Sequence, residues 1–76
     1  MRKKTVIFRK VEDMLDFIKK VECYPFDMDM KSGRFTVDAK SLFGLLNLGL
    51  ERKIELKVYD ENCDALFKDI AQYLAA

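Results

Sequence analysis

A chain of 76 residues has room for one domain and one small core, because folding at this size removes only about 60% of the unfolded surface from water. Half of the residues are hydrophobic and 36% are charged, which excludes a disordered chain. The formal net charge of +1 excludes a global attraction to polyanions, and no apolar run reaches the length of a membrane span.

The opening Met1-Arg2-Lys3-Lys4 carries the charge of a secretory signal, but the apolar run at residues 5–8 is far too short for its hydrophobic region. The expected location is therefore the cytoplasm. Residues 5–8, Thr-Val-Ile-Phe, are β-branched and aromatic and read as a first strand. Val11, Met14, Leu15, Ile18 and Val21 then recur at helical spacing, with Asp13, Asp16, Lys19, Lys20 and Glu22 largely opposite, which predicts an amphipathic helix over 11–23. Pro25 stops it, since proline donates no N–H and disfavours helix in the residue before it.

Residues 26–30 alternate apolar and acidic, Ser32-Gly33 is a turn signal, and Phe35, Val37 and Ala39 alternate with Arg34, Thr36 and Asp38, so a hairpin is expected. A Leu-rich segment follows and predicts a short helix over 41–48, ended by Gly49. Ile54, Leu56 and Val58 alternate with Lys53, Glu55 and Lys57 in another half-buried strand. Cys63, Leu66, Phe67, Ile70 and Leu74 mark a last helix, with capping groups expected among residues 60–62. The order is β-α-β-β-α-β-α. Strands with a single apolar face call for an α+β two-layer sandwich, wet on one side and covered by helices on the other. The patterns leave the order of the strands in space open.

Little in the chain points to chemistry. Cys23 and Cys63 form no CxxC pair and the chain has no histidine, so no metal site is expected. Both thiols are expected to be reduced, in core or half-buried positions. The basic cluster Arg2, Lys3, Lys4, Arg9 and Lys10 is followed at once by Glu12, Asp13 and Asp16, and Asp27 and Asp29 would oppose phosphates on a shared sheet face, so nucleic-acid binding is not expected. Asp27 and Asp29 share a strand face, but no nucleophile–base pair or glycine-rich phosphate loop accompanies them. The chain reads as a non-enzyme that needs no cofactor.

The most apolar run spans residues 38–50. Within it Ala39-Lys40-Ser41-Leu42-Phe43, then Leu45, then Leu48-Gly49-Leu50, resembles the regulatory-serine segment of HPr, the small phosphocarrier of the bacterial sugar phosphotransferase system. Phe17-Ile18-Lys19 and Tyr24 resemble the end of that family's first helix, Gly33 sits at its hairpin turn, and Ala65 with the apolar positions after it resembles its last helix. The resemblance implies a single HPr-like domain over residues 1–76, an open-faced two-layer sandwich with a four-stranded antiparallel sheet and three helices on one face.

The sequence departs from the family at its active site, where a histidine is followed two residues on by arginine and then proline. Counting back from Phe17 puts Lys10 in the histidine's place and Glu12 in the arginine's. A protonated lysine is no phosphoryl acceptor, and a carboxylate repels an incoming phosphoryl group. Phosphohistidine carrier activity is therefore not expected. What remains is Ser41. In Gram-positive relatives the matching serine is phosphorylated by an ATP-dependent kinase, and the product is corepressor to a catabolite-control transcription factor. A relative that lacks the histidine but keeps the serine serves regulation only. Ser41 reads either as such a phosphorylation site or simply as a helix N-cap. A helix this short cannot bury all its apolar side chains. Leu45, Leu48 and Leu50 are expected in the core, and Lys40, Leu42, Phe43, Leu46 and Asn47 form the expected partner surface. The implied partners are an HPr serine kinase and a catabolite-control regulator, and self-association through the same patch would look alike in sequence. The alternative is a degenerate HPr-like protein with an unrelated binding role.

Overall fold

The alternating strand patterns and helical stripes resolve into β1 (Arg2–Val6), α1 (Val11–Val21), β2 (Met28–Ser32), β3 (Phe35–Asp38), α2 (Leu42–Leu48), β4 (Ile54–Val58) and α3 (Asp64–Asp69), followed by one 3-10 turn at Ala71–Tyr73. These come from a computed structural model that describes residues 1–75. The four strands form one antiparallel sheet in the order β1-β4-β2-β3. In register, Val6 faces Ile54, Met30 faces Leu56, and Met30 faces Val37 across the other edge. Because side chains alternate along a strand, this register puts Val6, Met28, Met30, Ile54, Leu56 and Val58 on one buried face. Lys3, Thr5, Asp29, Lys31, Thr36, Glu55 and Lys57 are left on the other. The helices cover the buried face and complete the open-faced sandwich.

The core is centred on aromatic packing. Phe8 meets Phe17 edge to face at 5.1 Å between ring centroids, and Tyr73 closes on Phe8 at 5.9 Å. No polar or charged side chain is buried among the described residues. This fits a small domain that depends on apolar burial for its stability.

Several expected boundaries move, each for a local reason. The first strand runs from Arg2 to Val6 rather than over 5–8, since its ladder with β4 extends to Arg2 opposite Val58. Arg2 and Lys4 share the helix-side face with Val6, and their cationic heads lie over the Phe67 ring at 5.0 and 5.2 Å. Long basic side chains thus extend an apolar face in a way that hydrophobic alternation does not register. Ile7 and Phe8 leave the ladder, and the Ile7 N–H donates to the Tyr73 carbonyl at 2.9 Å. The second strand starts at Met28 rather than Phe26, whose ring stacks on Tyr24 at 6.0 Å.

In α1 the buried face is Met14, Phe17, Ile18 and Val21. Val11 and Leu15, expected in the core, are 40% and 47% exposed. Cys23, expected at least half-buried, is exposed. It lies beyond the helix's C-cap, and its thiol points back to the Lys19 carbonyl at 3.5 Å. Cys63 is buried as expected. Residues 60–62 do not cap α3. Its N-cap is Cys63, with no side-chain hydrogen bond, and the Asp60 carboxylate instead accepts from the Asn62 N–H at 2.8 Å. The last helix is also shorter than its apolar spacing suggests, because Leu74 crosses to Val6 as an isolated bridge and the Ala75 N–H donates to the Thr5 carbonyl at 2.8 Å.

Candidate functional site

The two ends of the α1–α2 pair are each tied by hydrogen bonds. At one end the Glu51 N–H, just past α2, donates to the Phe8 carbonyl at 2.7 Å, just before α1. At the other end Lys40, just before α2, donates through Nζ to the Tyr24 and Phe26 carbonyls at 3.1 and 3.3 Å, just past α1. The helices therefore run antiparallel. Val11 and Leu50 share one end, Leu15 and Leu46 the middle, and Phe43 sits toward the other end.

Lys10 stands at the first of these ends. It is the N-cap residue of α1, in extended backbone with φ −152° and ψ 164°, and its side chain makes no capping bond. Among the described residues no side chain caps the helix; Asp13 Oδ2 instead reaches back to accept the N–H of Arg9, the residue before the N-cap, at 3.1 Å. Glu12 and Asp13 both lie in the first turn. The positive end of the helix dipole thus already faces two carboxylates of its own chain. An anion approaching Lys10 meets these two carboxylates beside the Arg9 and Lys10 cations, and no imidazole.

Ser41 stands at the opposite end of the pair. The chain enters α2 through Asp38, whose carbonyl accepts the Ser41 N–H at 3.1 Å and whose carboxylate accepts the Lys40 N–H at 2.8 Å. Ser41 Oγ accepts the Gly44 N–H at 3.2 Å, which makes it the side-chain N-cap of α2. Gly49, at φ 92°, ends the helix, and its N–H donates to the Leu45 carbonyl at 3.2 Å. Lys10 and Ser41 are kept apart by α1, about 16 Å long at 1.5 Å per residue.

The expected partner residues divide. Phe43 is 81% exposed, Leu46 is 41% exposed, and Asn47 is exposed. Leu42 is half-buried against the core. Lys40 is half-buried, and its ammonium is directed at the two carbonyls already named. Leu45 and Leu48 are buried as expected, but Leu50, expected with them, is 39% exposed. It follows the helix-ending glycine, so the helical spacing that placed it inward no longer applies. The outward faces of the paired helices therefore carry Val11, Leu15, Phe43 and Leu46, with Leu50 exposed just past the end of α2. Sequence reasoning missed Val11, Leu15 and Leu50. The signal was the width of the apolar set on α1, where Val11, Met14, Leu15, Phe17, Ile18 and Val21 exceed one core-facing stripe.

Asp29 lies on the open face of the sheet, but Asp27, expected on the same strand face, precedes β2. Both line a cavity with Asp38, Lys40 and Tyr59. The Tyr59 hydroxyl donates to Asp29 Oδ2 at 2.9 Å, and this bond raises the Tyr59 pKa. Among the described residues no helix is long and apolar enough to cross a membrane.

No protein-family model matches the chain, and no curated protein does either. Solved structures do. The phosphocarrier protein HPr from Bacillus anthracis superposes with a TM-score of 0.74 at 18% identity, over 97% of this chain and 96% of that one. HPr-C-His from Thermoanaerobacter tengcongensis gives 0.76 at 18% identity, over 95% and 89%. The histidine-containing phosphocarrier protein of Mycoplasma gives 0.73 at 12% identity, over 93% and 89%. At these identities the likeness is one of fold, and the fold is that of HPr.

Proposed function

We propose that this chain is a cytoplasmic docking protein on the HPr fold, without phosphohistidine carrier activity and not an enzyme. Its role is regulatory or adaptor, of the sugar phosphotransferase and catabolite-control type. The observation that carries this reading is the outward apolar surface of α1 and α2 in a chain with no histidine. Five large apolar side chains, four on the adjoining helices and Leu50 just past α2, with Phe43 at 81% exposure, lose free energy to water that a partner's surface recovers on docking. The proposed partners are a catabolite-control regulator and an HPr serine kinase, with Ser41 as the phosphorylated residue. A dianion there meets the unsatisfied N–H groups of the α2 N-terminus and replaces a neutral cap with a charged one.

A second reading, an HPr-fold protein whose binding role is unrelated to sugar transport, draws support from Lys40. Its ammonium is engaged by two backbone carbonyls rather than free to pair with a phosphate on Ser41 or with a partner.

Intact mass measured after incubation with an HPr serine kinase and ATP separates the two, with Ser41→Ala as control. One added phosphate, absent in Ser41→Ala, supports the regulatory reading and leads to a binding assay with the catabolite-control regulator. No added phosphate returns Ser41 to a helix cap and leaves the second reading.

A further inference from the structure

The edge of the sheet at β3 forms a groove with α2 that is separate from the α1–α2 surface. Gly44 brings the first half of α2 directly onto Val37. Toward the end of the helix the two elements part, and Phe35 is left 65% exposed on the helix side of the edge strand. Two adjoining hollows fill the gap. One of about 250 Å3 is lined by Phe35, Val37, Asn47 and Leu48, and one of about 410 Å3 adds Arg34 and Arg52. Neither arginine is ion-paired among the described residues. The Arg52 stem lies along Gly49, with its Cδ 3.6 Å from where a Cβ on that glycine would stand.

The floor of this groove is apolar and one end is doubly cationic. Its wall is an unpaired strand edge. The Ala39 N–H donates to the Met28 carbonyl. Antiparallel pairing alternates from there, so Val37 and Phe35 pair inward while Thr36 turns its N–H and C=O outward, as Asp38 does its N–H. We propose that this groove binds an extended segment of a partner protein that adds to β3 as a fifth strand. The segment carries an acidic side chain against Arg34 and Arg52. Strand addition supplies main-chain bonds, and alternate side chains supply selectivity. In the antiparallel sense, which is slightly the more stable, the hairpin end of β3 meets the later part of the segment. The motif is therefore an apolar residue, any residue, then aspartate or glutamate, with the first on Phe35, Val37 and Leu48 and the last on the arginines.

The test titrates the 15N-labelled full chain with the blocked peptide acetyl-Gly-Thr-Leu-Thr-Glu-Thr-Gly-amide and follows backbone amide shifts. Saturable shifts at Thr36 and Asp38 are expected, with affinity about tenfold weaker when glutamine replaces the peptide's glutamate. That preference disappears in the double variant Arg34→Gln with Arg52→Gln, whose spectrum otherwise stays that of the folded protein. Equal binding of the two peptides overturns the proposal, as does the absence of shifts at millimolar peptide. Equal binding of acetyl-Gly-Thr-Leu-Thr-Gly, whose only carboxylate is its C-terminus, overturns it too by assigning the arginines to a chain end. Shifts confined to Val11, Leu15 and Phe43 overturn it by assigning the peptide to the α1–α2 surface, so this result and that of the Ser41 kinase assay stand independently.

Discussion

Gly44 sits where α2 packs directly onto Val37 of β3, and replacing it with alanine tests whether that approach is obligatory. A Cβ at this position would stand 2.7 Å from Val37 Cβ and 3.0 Å from its Cγ2. That is roughly 1 Å inside ordinary carbon–carbon contact. Val37 is a β-branched side chain on a strand, with no flexible end to swing away. Overpacking of this kind costs about 1–3 kcal/mol, and alanine in a helix interior recovers about 1 kcal/mol relative to glycine. With the contact at the close extreme, a net loss of about 1–2 kcal/mol is expected. Against a total of about 4–11 kcal/mol for a domain of this length, the loss lowers Tm by about 5–15 °C. Urea unfolding followed by far-UV circular dichroism measures it as a lower midpoint at unchanged slope. The decisive comparison is made in a Val37→Gly background, where the obstructing Cβ is gone and Gly44→Ala becomes stabilising by about 1 kcal/mol. If Gly44→Ala stabilises the parent protein, or has the same sign in both backgrounds, the close approach does not explain the glycine.

Ser41→Ala removes the α2 cap and is expected to cost about 1 kcal/mol, while Ser41→Asp keeps most of it; thermal melts of the two variants check this. Lys40→Met keeps the side-chain volume but leaves the Tyr24 and Phe26 carbonyls without their charged donor, and the unfolding free energy from urea titrations should fall by about 1–3 kcal/mol. Phe43→Ser should leave stability within about 0.5 kcal/mol, since the ring is 81% exposed, yet it should abolish binding to a catabolite-control regulator in a calorimetric titration. Tyr73 is pushed up to about 12 by burial and then by donating its hydroxyl to Asp16. The folded state therefore holds this proton more tightly than the unfolded chain, so its contribution to stability is whole below pH 10 and is lost as pH rises toward 12. Asp16 is held below its usual value by the Tyr73 hydroxyl and then by Lys20, so its contribution is present above the ordinary carboxylate range and is lost as pH falls. Tyr73→Phe should flatten the alkaline loss in urea midpoints measured from pH 9 to 12, and a midpoint profile unchanged from the parent's would show that Tyr73 does not govern it.

The element order and the two-layer plan are legible in the amino-acid sequence, because helical and strand periodicities are written locally and each leaves one apolar face to bury. So are the lack of a histidine to carry a phosphoryl group and the place of Ser41 before a helix. The strand order β1-β4-β2-β3 is not legible there, since pairing partners are chosen by packing at long range. The same holds for which apolar residues reach the core. Leu45 and Leu50 look alike in the sequence, but one lies within α2 and is buried while the other follows Gly49 and faces water. Phe35 alternates correctly for the helix side of β3, but α2 has already turned away at that level, and the residue is left exposed beside two arginines. Lys40 reads as a surface charge until the chain brings two carbonyls from the end of α1 to its ammonium. Hydrophobic pattern specifies which face of an element is apolar. How much of that face is covered depends on where the neighbouring element begins and ends, and that is fixed only when the whole chain packs.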